Sequence, residues 1–256
     1  MPKRTSSTET QGEDVNYRSL AWLLLLPCLA RAAPEVTLAS LEWPPYSGQA
    51  LPEQGSAAAI ARAAFLAMGY QLNIRFLPWS RAVALARGSP QVMGYFPEYD
   101  SEQGRRAFVF SQPIGVSPLG LAERSDHRLN WRHLSDLSRL RIGVVQDYVN
   151  TAELDARIAS KQQAADAALD DAKNLLKLHR GYVDLAVIDS NVFHYLMQHD
   201  KALQPLQDQL LMNPRLLENK LLFVCFKSSP EGQRLAAIFN QGLKRLSLPA
   251  LPADAR

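Results

Sequence analysis

Residues 56–77 read SAAAIARAAFLAMGYQLNIRFL, and the change of period inside this stretch decides the fold. From Ser56 to Met68 the apolar residues of an alanine-rich run recur at helical spacing, and Gly69 stands where a helix closes on a left-handed cap. From Gln71 to Leu77 apolar and polar residues alternate, the period of a half-buried strand. Upstream, Val36 to Ser40 is a short β-branched strand that runs into the proline-stiffened Trp43-Pro44-Pro45-Tyr46. Downstream, Trp79 to Arg87 is a second helix, stopped by Gly88-Ser89-Pro90. Val92 to Phe96 is a third strand, leading into a loop at Pro97-Glu98-Tyr99. Strand–helix–strand–helix–strand of this length predicts a parallel sheet with right-handed crossovers.

The pattern recurs further on. Leu140 to Val145 is a strand, and Thr151 to Ser160 a helix opened by Asn150, with Glu153 three residues on as in a capping box. Asp170 caps a helix that runs to about His179 and is followed by Gly181. Leu185 to Ile188 is a fully apolar strand, and Ser190 to Gln198 a helix. Lys220 to Phe226 closes the set as a strand, and Glu231 to Leu246 as a helix with an apolar stripe at Leu235, Ile238, Phe239, Leu243 and Leu246. Two α/β units in tandem predict two lobes around a cleft. Ligands of such folds sit outside the carboxyl ends of the strands. That gathers Trp43 to Tyr46, Phe96 to Tyr99, Gln146 to Thr151 and Asp189 around one site.

The start of the chain carries a different message. Arg18, the apolar run from Leu20 and the small-residue site Ala30-Arg31-Ala32 read as a secretory signal over residues 1–32. The apolar stretch is shorter than the roughly 20 residues that span a bilayer. The leader takes four of the 28 Lys/Arg and three of the 25 Asp/Glu, so the mature chain holds 24 basic and 22 acidic residues. This balance, with no run of like charge longer than two, gives no footprint for nucleic acid or for an anionic membrane. Cys28 leaves with the leader. Cys225, set among Leu221 to Phe226, then stands alone and reads as a core residue.

Five motifs in order resemble the bacterial extracellular solute-binding proteins of family 3, the periplasmic receptors of polar amino-acid ABC transporters. They are Trp43-Pro44-Pro45-Tyr46-Ser47, Pro78-Trp79-Ser80-Arg81-Ala82, Phe110-Ser111-Gln112-Pro113, the segment Leu137 to Val144, and the segment Gly181 to Asp189. The resemblance covers Val36 to Leu246. It implies the periplasmic-binding-protein type II fold, an α/β architecture whose two lobes close by a hinge on a central ligand cleft. The lobes it implies are 33–118 plus 222–256 and 119–221. It also implies a periplasmic location, a small polar solute (amino acid or amine-like), an ABC permease as partner, a monomer, and neither cofactor nor metal.

The ligand-binding candidates are Trp43, Tyr46, Phe96, Glu98, Arg105, Arg106, Asn150, Thr151 and Asp189. Asp189 aligns with the family's ammonium-binding acid, and equally caps the helix that starts at Ser190. The N–H groups of Asn150, Thr151 and Ala152 open a helix where a carboxylate can dock, or Asn150 only caps it. Trp43 and Tyr46 offer an aromatic wall, while Trp79 reads as packing between lobe elements. The family's carboxylate-gripping arginine follows a threonine. Here the stretch is Asp100-Ser101-Glu102-Gln103-Gly104-Arg105-Arg106, so Arg105 or Arg106 serves that role or faces solvent. Glu98 and Tyr99 replace small polar residues and point to a cationic or aromatic-lined site, and Asp147 replaces a glycine. Two other functions remain open. One is a periplasmic enzyme of the cyclic-acid dehydratase type, for which Glu98 is the candidate acid/base. The other is a free-standing sensory domain. No serine, cysteine or histidine is placed as a nucleophile with its base, so the expectation is a binding protein and not an enzyme.

Overall fold

β1 (Glu35–Ser40) and β2 (Gln71–Phe76) pair in parallel over their whole length, Glu35 opposite Gln71 and Ser40 opposite Phe76, with α1 (Ser56–Leu66) as the crossover. This computed structural model describes residues 1–5, 7, 33–247 and 255. The apolar leader run and the Ala30-Arg31-Ala32 site lie outside the described residues. Ala33–Arg256 forms one compact unit, and among the described residues no helix is long and apolar enough to cross a membrane.

α2 (Trp79–Gly88) leads to β3 (Gly94–Tyr99), which joins β1 on its other side. α3 (Glu102–Ala107) and β4 (Phe108–Phe110) follow, then the long β5 (Gly115–Arg124). The second unit comprises β6 (Arg141–Val145), α4 (Ala152–Ala159), β7 (Ala164–Ala168), α5 (Asp171–His179), β8 (Leu185–Asp189) and α6 (Ser190–His199). β9 (Leu210–Met212), β10 (Glu218–Lys227) and α7 (Pro230–Arg245) complete the chain. β6 is parallel to both β7 and β8, so each unit has the expected parallel core.

The two units share one curled ten-stranded sheet, ordered β2-β1-β3-β10-β5-β8-β6-β7, with β4 beside β10 and β9 beside β5. An antiparallel pair makes the junction. The first half of β10 (Glu218 to Leu222) pairs with the first half of β5 (Gly115 to Leu119). The second half of β10 pairs with β3, and the second half of β5 with β8. Each long strand therefore begins in the junction and ends in one unit.

α7 covers the first unit. Its buried stripe, Leu235, Phe239 and Leu243, meets α1 and β10, with Phe239 5.1 Å from Phe65 and 5.6 Å from Phe226 between ring centroids. Gly242 lets the two helix backbones touch, since a Cβ there would lie 2.0 Å from the Ala64 carbonyl oxygen. Cys225 is buried in this core.

Pro97-Glu98-Tyr99 belongs to β3 rather than to a loop. β10 shifts register between Phe223, opposite Glu98, and Cys225, opposite Tyr95, so the Phe96-Pro97 step faces a bulge. Proline has no N–H for the ladder, and a bulge asks for none there. α4 begins one residue later than the capping-box reading expects: its cap is Thr151, whose Oγ1 accepts from Leu154 N–H at 3.2 Å.

Candidate ligand-binding site

The C-terminal ends of β1, β3, β6 and β8 converge, and the loops that leave them meet between the two units. After β1, the cap-like turn in which Trp43 pairs with Ser47 holds Trp43 and Tyr46 stacked at 4.7 Å. Trp43 also meets Tyr99 edge-on at 6.1 Å. From the other unit, Tyr148 meets Trp79 edge-on at 5.9 Å. These rings enclose two small spaces. One, of about 20 Å³, is lined by Leu41, Trp43, Trp79, Pro97, Glu98, Tyr99, Tyr148 and Val149. The other, of about 10 Å³, lies deeper, against Asn150, Asp171, Ile188 and Asp189. Trp43, Tyr99, Tyr148 and Val149 line both. Each space holds about one water. From the first, Glu98, Tyr148 and Val149 continue into an open groove of about 910 Å³ between α2 and α3 on one side and α4 on the other.

Hydrogen bonds tie the two walls together. Trp79 Nε1 donates to the Asp147 carbonyl at 3.0 Å, and the Ser80 hydroxyl donates to the Asp147 carboxylate. Asp147 takes φ 62°, the left-handed region where a side chain is strained, consistent with the glycine expected there. Tyr46 Oη donates to Asp189 Oδ2 at 2.9 Å and accepts from Asn191 Nδ2 at 2.8 Å. Ser117 donates to the same Asp189 oxygen and is itself paired with the Tyr99 hydroxyl. Asp189 Oδ1 accepts from Val192 N–H, so the aspartate caps α6 while its other oxygen faces the first unit.

Three carboxylates line these spaces and are buried: Glu98, Asp171 and Asp189, exposed by 8%, 6% and 2%. Burial pushes Glu98 up from 4.5 to about 7, against the pull of the Tyr99 N–H, the Tyr95 hydroxyl and Lys220. Burial raises Asp171 from 3.8 to about 7, helped by the charges of Asp189 and Asp170. Asp189 is also raised by burial, though its donors from Ser117, Val192 and Tyr46 pull the other way. Lys220 is buried as well, 3.4 Å from Glu218 Oε1 and 5.6 Å above the Tyr99 ring.

Several expected site residues are placed elsewhere. Phe96 is fully buried, lines neither space, and its carbonyl accepts from Ser40 Oγ at 2.8 Å, because β3 is covered on both faces. Arg105 is held by Asp100 through two hydrogen bonds of 2.6 and 2.7 Å and lies over the Phe110 ring. Arg106 pairs with Glu102 one helical turn back and is exposed. Neither arginine lines the cavity: α3, which the sequence reading missed, turns both outward. Asn150 gives its N–H to Asp155 Oδ2 at 3.0 Å and its amide to Oδ1 at 2.7 Å, and Thr151 is the helix cap. The Asn150 N–H thus already has a carboxylate of its own chain. Asp171 is the residue that sequence reasoning missed. An acid in the first turn of a helix reads as a partner of the helix dipole, and only the fold shows it facing Asp189 across a cavity.

No family model matches this sequence, and no curated protein matches it. Solved structures do. A histidine kinase sensor domain with similarity to periplasmic binding proteins is 21% identical, with a TM-score of 0.70 over 84% of this chain and 91% of that one. The Gly52Ala mutant of the arginine-bound ArgBP from T. maritima is 15% identical, at 0.66 over 82% and 94%. The chain has the periplasmic-binding-protein type II fold. The ancestral amino acid-binding protein AncCDT-1, a precursor of cyclohexadienyl dehydratase, shares this fold at 13% identity, with a TM-score of 0.64 over 82% and 88%. Trp43, Tyr99, Tyr148 and Asp189 wall the region between the two α/β units. Among the described residues no group of three His, Cys, Asp or Glu is arranged to hold a metal ion.

Proposed function

We propose that this protein captures a small polar solute between its two lobes in the periplasm and delivers it, as a monomer, to an ABC permease of the inner membrane. The observation that carries the reading is the buried meeting of Trp43, Tyr99, Tyr148, Asp171 and Asp189 between the α/β units. Aromatic walls with a few polar groups characterise small-molecule sites. The lobes of this reading are 33–118 plus 222–256 and 119–221, a division supported by the exchange of partners of β5 and β10 near Leu119 and Leu222. Trp43, Glu98, Asp171 and Asp189 are the ligand-facing groups, and Tyr46 and Asn191 brace Asp189.

A thermal-shift panel of amino acids, amines, organic acids and short peptides tests the reading. A ligand at about 100 times its dissociation constant adds about 2.7 kcal/mol to the folded state, a plain rise in melting temperature. A folded protein that no small solute stabilises contradicts it. A second reading rests on Glu98 alone: a buried carboxyl near 7 suits a general acid or base, as a dehydratase needs. Turnover of a cyclic hydroxy-acid, abolished in Glu98→Gln, decides for that alternative.

A further inference from the structure

We infer that the cavity is built for a small organic cation that carries a neutral oxygen and no carboxylate, an amino alcohol or its methylated ammonium relative. The inference rests on the solute-capture reading above and narrows its ligand class from amino acid or amine to amine.

The groups that would hold a ligand carboxylate are already engaged within the protein. Arg105 and Arg106 are committed to Asp100 and Glu102. The Asn150 N–H at the start of α4 is committed to Asp155. In each case a carboxylate of the protein already engages the group that would grip a ligand's carboxylate. What remains inside is acidic. Asp171 and Asp189 line the same small space without a buried cation beside them, and Glu98 lines the adjoining one with Lys220 as its neighbour. A ligand carboxylate placed there is tolerated only while these acids keep their protons, and each one that ionises opposes it in a region poor in water. An ammonium group meets the opposite situation.

A second observation comes from Trp43. Its indole Nε1 is buried beside Asp171, whose carboxylate it favours without completing a hydrogen bond, and the residue, 6% exposed, lines both spaces. A buried N–H left unpaired costs about 1–3 kcal/mol. A ligand oxygen within reach removes that cost, and a hydroxyl or ether oxygen does so without adding negative charge. The faces of Trp43, Tyr99 and Tyr148 around the spaces suit alkylated ammonium, which is drawn to the negative face of an aromatic ring. The groove that reaches the cavity agrees: Glu98, Asp147, Asp155 and Glu218 line it against Arg87 and Lys220, while its Asp100 and Glu102 are paired with Arg105 and Arg106. Such a lining draws cations inward. Tyr148, which lines both spaces and the groove and is only partly buried, is the side chain that turns aside for a ligand to join the two spaces.

The test uses two isosteric pairs that differ in the carboxylate: ethanolamine with glycine, and choline with glycine betaine. Titration calorimetry on the purified protein at neutral pH is expected to show ethanolamine or choline bound at least about tenfold more tightly than its partner, a difference of about 1.4 kcal/mol. Asp171→Asn is expected to lose that preference while circular dichroism stays native. Trp43→Phe, which keeps a ring and removes the N–H, is expected to bind ethanolamine and propylamine alike. Tighter binding of glycine or betaine overturns the inference and leaves the solute-capture reading standing. No binding of any of the four overturns the inference, and the wider thermal-shift panel then decides the reading itself. An Asp171→Asn protein that is folded and keeps the full preference also overturns it.

Discussion

Two buried acids near neutrality give the ligand-free protein an unusual dependence on pH. Glu98 moves from an ordinary 4.5 to about 7 on folding, and Asp171 from 3.8 to about 7. Each holds a proton in the folded state that the unfolded chain has released, so folding takes up protons between these values and stability rises as pH falls. At about 1.4 kcal/mol per pH unit, Glu98 alone withholds about 3 kcal/mol from the fold above pH 7, and lowering the pH toward 4.5 returns it. Asp171 contributes a similar amount. The two are not additive, since Asp189 and Asp170 act on Asp171 while Tyr95, Lys220 and Cys225 surround Glu98, and Tyr148 faces both. Asp136 and Glu231, whose backbone and arginine partners lower them, act below this window. Urea unfolding followed by tryptophan fluorescence, between about pH 8 and pH 5, is expected to show stability growing by 3 kcal/mol or somewhat more. Glu98→Gln and Asp171→Asn should each flatten the slope and stabilise the protein at pH 8. An ammonium ligand should reverse the trend, because it needs the ionised acids. A wild-type slope near zero, or one undiminished in the double variant, refutes the reasoning.

Three further outcomes follow from the packing. Asp189→Asn leaves the cap of α6 in place but removes the charge facing Tyr46 and Ser117; ligand affinity should fall by more than about 1 kcal/mol with folding intact, and calorimetry checks it. Glu123, fully buried, accepts from Leu129 N–H at 3.0 Å and Asn213 Nδ2 at 2.9 Å and pairs with Arg128. Glu123→Ala strands those donors and should cost about 2 kcal/mol in urea unfolding without touching ligand affinity. Gly242→Ala drives a methyl into the Ala64 carbonyl and should lower stability by about 1–3 kcal/mol, read as a fall in melting temperature.

Much of the scaffold was legible because its periods are clean. The helix and strand of Ser56 to Leu77, the apolar run of β8 and the stripe on α7 each answer to one period and one buried face. β7 was not legible: Ala164-Ala165-Asp166-Ala167-Ala168 has helix-forming residues, and only pairing with β6 makes it a strand. α3 escaped for a related reason, being six residues held by a Ser101 cap that accepts from Gly104 N–H. That one missed helix decides between the two readings left open for Arg105 and Arg106, since its turn sets their direction. In the site, Trp43, Glu98 and Asp189 were visible as residue types at strand ends. The cap at Thr151 in place of Asn150 turned on Asp155, a residue whose reach back to Asn150 no local pattern announces. Asp171 depended on long-range packing of α5 against β8, which places it opposite Asp189.

Solute capture as proposed here requires the lobes to close on a molecule held between Trp43 and Asp189. Double electron–electron resonance between spin labels at Leu66→Cys and Leu169→Cys measures it directly, since both positions are exposed, one in each lobe, while Cys225 is buried. Addition of the solute that most stabilises the protein should collapse a broad interlobe distance distribution to one short, narrow population, and Asp189→Asn should weaken that response. A distribution unchanged at saturating solute contradicts capture by closure.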